Sequence, residues 1–249
     1  MFIDTHCHIH ELDYQGEEDA LKRAIDAGVT SVICVGTSEE SSVEAVRFAG
    51  EHKNVYASVG VHPHDSKDGW DQVAELLKTK DKKIIAVGEI GLDYHYNHSP
   101  SQIQIKALES QLQLAVDYDL PVIFHVREAF DEFWPIFDNF KKIKGELHSY
   151  TDSIKNLNQG LKRGLYIGVN GISTFTRDDQ QKEMFDAIPL EFMLLETDAP
   201  FLTPSPFRGK INEPAFVREI AQYHADRRGI SVEETAQKTT ANARKLFSI

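Results

Sequence analysis

Short apolar runs alternate with segments of helical periodicity along the chain of 249 residues, and this alternation constrains the fold more than any other feature. Eight such runs, each of about five to eight residues and rich in β-branched side chains, suit the buried strands of a parallel sheet. Repeated βα units predict an α/β fold, and eight of them favour closure into a TIM-like (β/α)8 barrel. The runs begin near Phe2, Val29, Val55, Ile84, Pro121, Gly145, Leu165 and Phe192.

A single domain is expected to span residues 1–249. The length is near the roughly 250 residues of such barrels, and the sequence has no fixed-period repeat, low-complexity tract or flexible linker. The stretch from Ser101 to Tyr118 carries an apolar stripe typical of a helix. A capping box at Ser231 is expected to start the last helix, after Gly229 ends the preceding one.

The composition excludes several classes of protein. A hydrophobic share of 41%, a charged share of 27% and a net charge of −12 are typical of a globular protein. No apolar run approaches the ~18 residues of a membrane helix, and the sequence does not open with a secretory signal. With only Cys7 and Cys34 as cysteines, a reducing cytoplasm is expected, and no membrane or obligate protein partner is inferred. The acidic charge means that nucleic-acid binding requires a local basic patch or a metal.

Residues suited to metal binding fall at the carboxyl ends of the predicted strands, where barrel enzymes place their active sites. Strand one ends with His6 and His8, whose side chains share one face because strand residues alternate. A pair of imidazoles that closes a buried strand favours a transition-metal site over two surface histidines. Cys7 faces the other way and is expected to be a small buried hydrophobe.

Later strands contribute further donors. Strand four carries Glu89 between two glycines, and a buried carboxylate requires a cation, here a metal rather than a lysine or arginine. His125 and His148 end strands five and six. Each alone suits a hydrogen-bonded core histidine, but beside Glu89 the two predict a second metal site. Asp198 follows strand eight and is expected to act as a ligand and a base.

Two residues are predicted to contact substrate. His64 follows strand three, and it either binds substrate or belongs to a turn that Pro63 makes rigid. Arg208 follows strand eight, where barrel enzymes often bind phosphate, and its charge suits a phosphodiester; a solvated loop is the alternative. Asp93 is expected either to orient a metal ligand or to cap a loop.

Several motifs together resemble the TatD-type deoxyribonucleases over nearly the whole chain. They include Asp4-Thr5-His6-Cys7-His8, Gly60-Val61-His62-Pro63, Gly88-Glu89-Ile90-Gly91-Leu92-Asp93-Tyr94, Glu196-Thr197-Asp198-Ala199-Pro200 and Asn212-Glu213-Pro214. The resemblance implies two divalent ions of zinc, manganese or magnesium, with Glu89 bridging them. The ligands that it implies are His6, His8 and Asp198 for one ion, and His125 and His148 for the other.

The resemblance also implies a reaction. Water activated by the two ions would hydrolyse DNA, with Asp198 and Glu89 catalytic, in the manner of a 3′-to-5′ exonuclease on single strands. The alternative is a metal-dependent ester or amide hydrolase, such as a D-aminoacyl-tRNA deacylase, because histidine-rich barrels also polarise carbonyls. A non-catalytic metal-binding protein is a third hypothesis. His10, Glu128 and Asp152 depart from the family pattern and bear on the substrate contacts.

Overall fold

The computed structural model describes residues 1–11, 14–96 and 98–249. In these residues the strands β1 to β8 are Phe2–Cys7, Val29–Val35, Val55–Val59, Ile84–Asp93, Val122–Arg127, Gly145–Leu147, Tyr166–Val169 and Met193–Leu195. The helices α1 to α10 are Glu17–Asp26, Glu39–Glu51, Asp71–Lys78, Ser101–Tyr118, Phe130–Asn139, Ile154–Lys162, Ile172–Phe175, Asp179–Ala187, Val217–Arg228 and Val232–Phe247.

The strands follow one another in the sheet in chain order, from β1 to β8. Their pairs are parallel, as in β1 with β2, β4 with β5 and β7 with β8. This succession of parallel strands with helices between them is the (β/α)8 class, so the predicted fold class is confirmed. The last helix also begins as predicted, because Ser231 Oγ accepts a hydrogen bond from the Glu234 amide and Gly229 ends α9 with a φ of 62°.

The contacts of the chain divide it into two compact units. The first unit comprises Met1–Cys34 and Ser149–Ile249, and the second comprises Val35–His148. The expectation of one domain over residues 1–249 stays a prediction. In the part of the chain that the structure describes, each helix is too short or too polar to cross a membrane.

In the first unit, β1 is held along both edges and is buried throughout. Strand β2 pairs with one edge, and on the other edge Cys7 bridges Ala199, which follows β8. Helix α10 is hydrogen-bonded to the start of β8 and to the residues before it, because Asn242 Nδ2 donates to the carbonyl oxygens of Leu190 and Met193, at 2.9 Å each. The carboxyl end of β1 therefore lies beside the segment after β8.

His224 is a fully buried histidine of α9, also in the first unit. Its Nδ1 accepts a hydrogen bond from Arg228 Nη1 at 3.0 Å, and its Nε2 lies 3.0 Å from Ser173 Oγ. Burial, together with repulsion from Arg228, lowers the pKa of His224 to about 3, against an attraction from Asp186 that raises it. An unfolded histidine titrates near 6.5, at about its unperturbed pKa. On acidification, His224 is therefore protonated at a higher pH in the unfolded chain than in the folded chain.

Acid is expected to destabilise the protein through His224. The contribution of His224 to the unfolding free energy is fully present above about pH 6.5 and is lost as the pH falls toward about 3, at about 1.4 kcal/mol per pH unit. Urea unfolding of the parent and of His224→Gln at several pH values between these limits measures it. The variant should lose stability less steeply than the parent on acidification. Parallel slopes for the two proteins would contradict the assignment.

In the second unit, β4 is paired on both edges, with β3 and β5, and all its residues are buried. Strand β5 is anchored by aromatic packing, since the Phe124 ring lies 5.1 Å from that of Phe133 and 5.7 Å from that of Phe137 in α5. Because strand residues alternate, His125 points away from this helix. In the parallel register, His125 lies opposite Gly91 of β4.

Gly91 permits the close approach of β4 and β5. A Cβ atom at this position would lie 1.7 Å from the carbonyl oxygen of His125. We expect Gly91→Ala to lower the free energy of unfolding by at least about 2 kcal/mol, because the strands must separate. The matched control is Gly50→Ala in α2, where a Cβ meets nothing within 4 Å and stability should stay unchanged or rise. Urea denaturation measures both variants, and a Gly91→Ala protein as stable as the parent would rule out the close approach.

Candidate functional site

Three donor side chains meet in the first unit at the end of β1. His6 Nε2 lies 3.1 Å from His8 Nε2, and Asp198 Oδ1 lies 3.7 and 3.3 Å from these two atoms, respectively. The side chain of His6 is fully buried, and those of His8 and Asp198 are 6% and 14% exposed. As predicted, Cys7 is buried and turned away, with Sγ donating to the Ile33 carbonyl oxygen at 3.5 Å. We call His6, His8 and Asp198 the first cluster.

Backbone hydrogen bonds bring Asp198 to the two histidines. The Asp198 amide donates to the His6 carbonyl oxygen at 2.8 Å, and the His8 amide donates to that of Ala199 at 2.7 Å. Asp198 has a left-handed backbone with a φ of 59°, a conformation that aspartate tolerates better than most residues do. The main-chain hydrogen bonds at Asp198 and Ala199 therefore position the Asp198 carboxylate beside the two histidines.

Asp4 connects β1 to the segment after β8 within the first unit. Its carboxylate accepts hydrogen bonds from the amide of Thr197 at 2.9 Å and from the hydroxyl of Thr197 at 2.6 Å. Burial raises the pKa of Asp4 to about 8, although the bonds from Thr197 act to lower it. The sequence motif contains Asp4, but this supporting contact spans 193 positions of the chain and carries no local signal.

Glu89 gathers three histidines in the second unit. Its Oε1 lies 2.9 Å from His125 Nδ1, 3.6 Å from His62 Nε2 and 3.9 Å from His148 Nε2. These four residues lie in, or just after, the consecutive strands β3 to β6. The Glu89 side chain is only 5% exposed. We call His62, Glu89, His125 and His148 the second cluster.

Asp93 orients His125 within the second cluster. Asp93 Oδ2 lies 2.9 Å from His125 Nε2 and 3.1 Å from His64 Nε2. The imidazole of His125 thus faces one carboxylate with each nitrogen, which leaves Nδ1 directed at Glu89. A carboxylate behind a histidine is the usual support of a metal ligand. Both roles expected for Asp93 fit this geometry, because Oδ2 lies on His125 while Oδ1 caps the following loop by accepting hydrogen bonds from the amides of His95 and Tyr96.

Ionisation differs among the histidines of the second unit. Burial acts to raise the pKa of Asp93, but hydrogen bonding and the charge of His125 hold that pKa well below its usual range. Burial acts to lower the pKa of His125, but its bonds to Asp93 and Glu89 raise it above the ordinary value. Burial lowers the pKa of both His62 and His64. Asp93 is therefore anionic and these two imidazoles are neutral at neutral pH, and neutral is the form in which histidine binds a metal.

Both clusters have donor sets that fit a divalent metal. Ligands about 2.0–2.2 Å from one ion are themselves roughly 3.0–3.6 Å apart, and the separations of 3.1 to 3.7 Å in the first cluster agree with this spacing. Imidazole and carboxylate together suit zinc and manganese. Each unit contains a group of three described residues whose donor atoms all lie within 4.8 Å of one another: His6, His8 and Asp198 in the first unit, and His62, Glu89 and His125 in the second.

The two clusters include all six residues predicted as ligands: His6, His8, Glu89, His125, His148 and Asp198. His62, which was not among the predicted ligands, also lies in the second cluster, and its position after β3 is the same strand-end signal. His64 lies beside the second cluster through Asp93. Arg208 makes its contacts elsewhere in the first unit, donating to the Thr203 carbonyl oxygen at 2.8 Å and lying 3.8 Å from the centre of the Phe175 ring.

Known proteins are similar to this chain along its whole length. The profile of the family described as TatD related DNase matches residues 3–248. The uncharacterized metal-dependent hydrolase YabD of Bacillus subtilis is 35% identical over 100% of both chains. The 3′-5′ ssDNA/RNA exonuclease TatD of Citrobacter rodentium is 36% identical over 93% of this chain and 92% of its own. The crystal structure of YJJV, a TatD homologue of Escherichia coli K12, has a TM-score of 0.93 at 32% identity, covering 100% of this chain and 98% of that chain.

Proposed function

Because the chain belongs to the TatD-related DNase family of metal-dependent hydrolases, we propose that it is a deoxyribonuclease that degrades single-stranded DNA from the 3′ end. The observation that carries the proposal is the presence in each unit of a carboxylate and histidine cluster able to hold a divalent metal. The relatives named 3′-5′ ssDNA/RNA exonucleases support the substrate and the polarity.

We propose two metal positions, one for each cluster. His6, His8 and Asp198 would hold one ion, and Glu89 and His125, with His148 and His62 beside them, would hold the other. When bound, divalent ions polarise a phosphoryl group and lower the pKa of a water that attacks it. The bridging role of Glu89 stays a prediction from the family resemblance.

Asp198 is the proposed general base. Its side chain is more exposed than those of His6 and His8 in the same cluster, so it is the group most open to an incoming water. The carboxylate accepts the proton that the attacking water loses, a role typical of positioned carboxylates. Asp93 keeps His125 directed at Glu89 while this happens.

The substrate contacts proposed for this reaction are His64 and Arg208. His64 lies on Asp93 with its side chain 26% exposed, and Arg208 is an exposed residue whose charge is suited to a phosphate. Local positive charge is needed because a chain with a net charge of −12 repels a polyanion at long range. DNA is thus the proposed partner, and the cytoplasmic location stays a prediction.

The function is tested by restoring metal to the stripped protein. Magnesium, manganese or zinc is added back after chelation, and cleavage of single-stranded DNA labelled at either end is followed, with an RNA strand of the same sequence beside it. We expect cleavage that depends on metal and releases nucleotides from the 3′ end first. A Glu89→Ala protein purified in parallel identifies contaminating nuclease. Inactivity with every metal, or equal cleavage by the variant, would refute the proposal.

A further inference from the structure

An exposed group of rings lies directly after β4 in the second unit. Tyr96 is 52% exposed although it has close neighbours. Its ring lies 4.6 Å from that of His95, edge to face, and is stacked at 15° on that of His98 at 5.7 Å. The guanidinium of Arg127 lies over the Tyr96 ring, 4.8 Å from its centre. We call His95, Tyr96, His98 and Arg127 the aromatic array, and all four residues are exposed.

The aromatic array is joined to the second cluster by hydrogen bonds. The Tyr96 amide donates to Asp93 Oδ1 at 3.0 Å, and the His95 amide donates to the same oxygen at 2.9 Å. The other oxygen of Asp93 supports His125, which faces Glu89. The side chains of Asp93 and His125 therefore link the Tyr96 backbone to Glu89 through a chain of hydrogen bonds.

The chemistry of the array suits a nucleobase. Exposed π faces bind bases of any sequence by stacking, and an arginine in the same place adds a cation for the strand. The carboxylate of Glu128, which lies against the array, is paired with His95 Nδ1 at 2.6 Å. The ring of Tyr96 is already packed against His95, His98 and Arg127, so it loses less conformational freedom than an isolated side chain would when a base stacks on it.

We propose that the aromatic array is a nucleobase-stacking site, with Tyr96 as its platform and Arg127 placed for a phosphate of the same strand. The inference rests on the proposed function, since it names how the substrate of that site is held. Stacking needs no base-specific hydrogen bond, so it predicts binding of single strands with little regard to sequence.

The test measures binding apart from cleavage. Full-length protein loaded with manganese is titrated into a fluorescent oligothymidylate with phosphorothioate linkages, and into an abasic strand of equal length and linkage. We expect Tyr96→Ala to raise the Kd for the oligothymidylate about ten-fold, Tyr96→Phe to restore binding, and the abasic strand to bind the parent and Tyr96→Ala alike. The matched control is Tyr118→Ala at the end of α4, which should bind as the parent does.

The possible outcomes separate the two proposals. An unchanged Kd for Tyr96→Ala, an equal loss with both strands, or a parent that binds neither strand would each overturn the stacking site. Base-dependent binding that Tyr96→Ala loses supports the site even if an ordinary DNA strand is never cut. That last result would refute the nuclease function alone.

Discussion

Replacing Asp198 with asparagine is expected to lower kcat by about a thousand-fold, in the range seen when a positioned general base is lost. Asparagine has nearly the same shape but carries no charge, so it neither accepts the proton of the attacking water nor balances a cation beside His6 and His8. The carboxylate lies 3.3 Å from His8 Nε2, and the main-chain bonds that place it are unaffected by the change. Steady-state kinetics on single-stranded DNA with saturating manganese measures the effect.

Asp179→Asn is the matched control for this experiment. Asp179 lies on α8, its side chain is 90% exposed, and it pairs only with Lys182 among the contacts described for it. The same loss of charge there should leave kcat unchanged. Loss of a general base is expected to lower kcat by far more than about ten-fold. An Asp198→Asn protein that keeps about a tenth or more of the parent kcat would therefore exclude Asp198 from that role.

Replacing Glu89 with glutamine is expected to empty the second cluster of metal. Loss of a residue that only orients a metal ligand costs about 10- to 100-fold in affinity or activity, so loss of a donor should cost at least about 100-fold in kcat/KM. Glu89 Oε1 is the atom shared by the contacts to His125, His62 and His148. Neutral glutamine leaves these imidazoles without the anion that favours a cation among them.

The measurement is metal content by mass spectrometry after dialysis, together with kcat/KM. Glu132→Gln, at an exposed position in the first turn of α5, is the matched control. We expect Glu89→Gln to retain less bound metal than the parent, and Glu132→Gln to retain as much. Equal metal content in Glu89→Gln and the parent would show that this carboxylate holds no metal.

The starts of the strands could be predicted closely because their signals are local, whereas β6, β7 and β8 are shorter than the expected five to eight residues and β4 is longer. Each observed strand begins at the expected residue or one residue later, as with Val122 against Pro121. A run of apolar residues buried on both faces identifies a parallel strand without reference to the rest of the chain. The division into two compact units was not predicted, because it follows from contacts between distant residues and not from any break in composition.

The site could be predicted as a set of residues but not as a set of contacts. The strand-end rule found Glu89 and His125, because parallel strands present their carboxyl ends together. It did not show that His125 lies between Glu89 and Asp93, since alternation along a strand fixes the face of a side chain and not its partners. The support that Asp4 gives to Thr197 was missed for the same reason.

Metal binding at the two clusters is tested most directly by an anomalous difference map from a crystal grown with manganese. We predict one peak within about 2.2 Å of donor atoms of His6, His8 and Asp198, and a second at the same distance from donors of Glu89 and His125. A map of active protein with no peak at either cluster, or with peaks only on other residues, would contradict metal binding by these side chains.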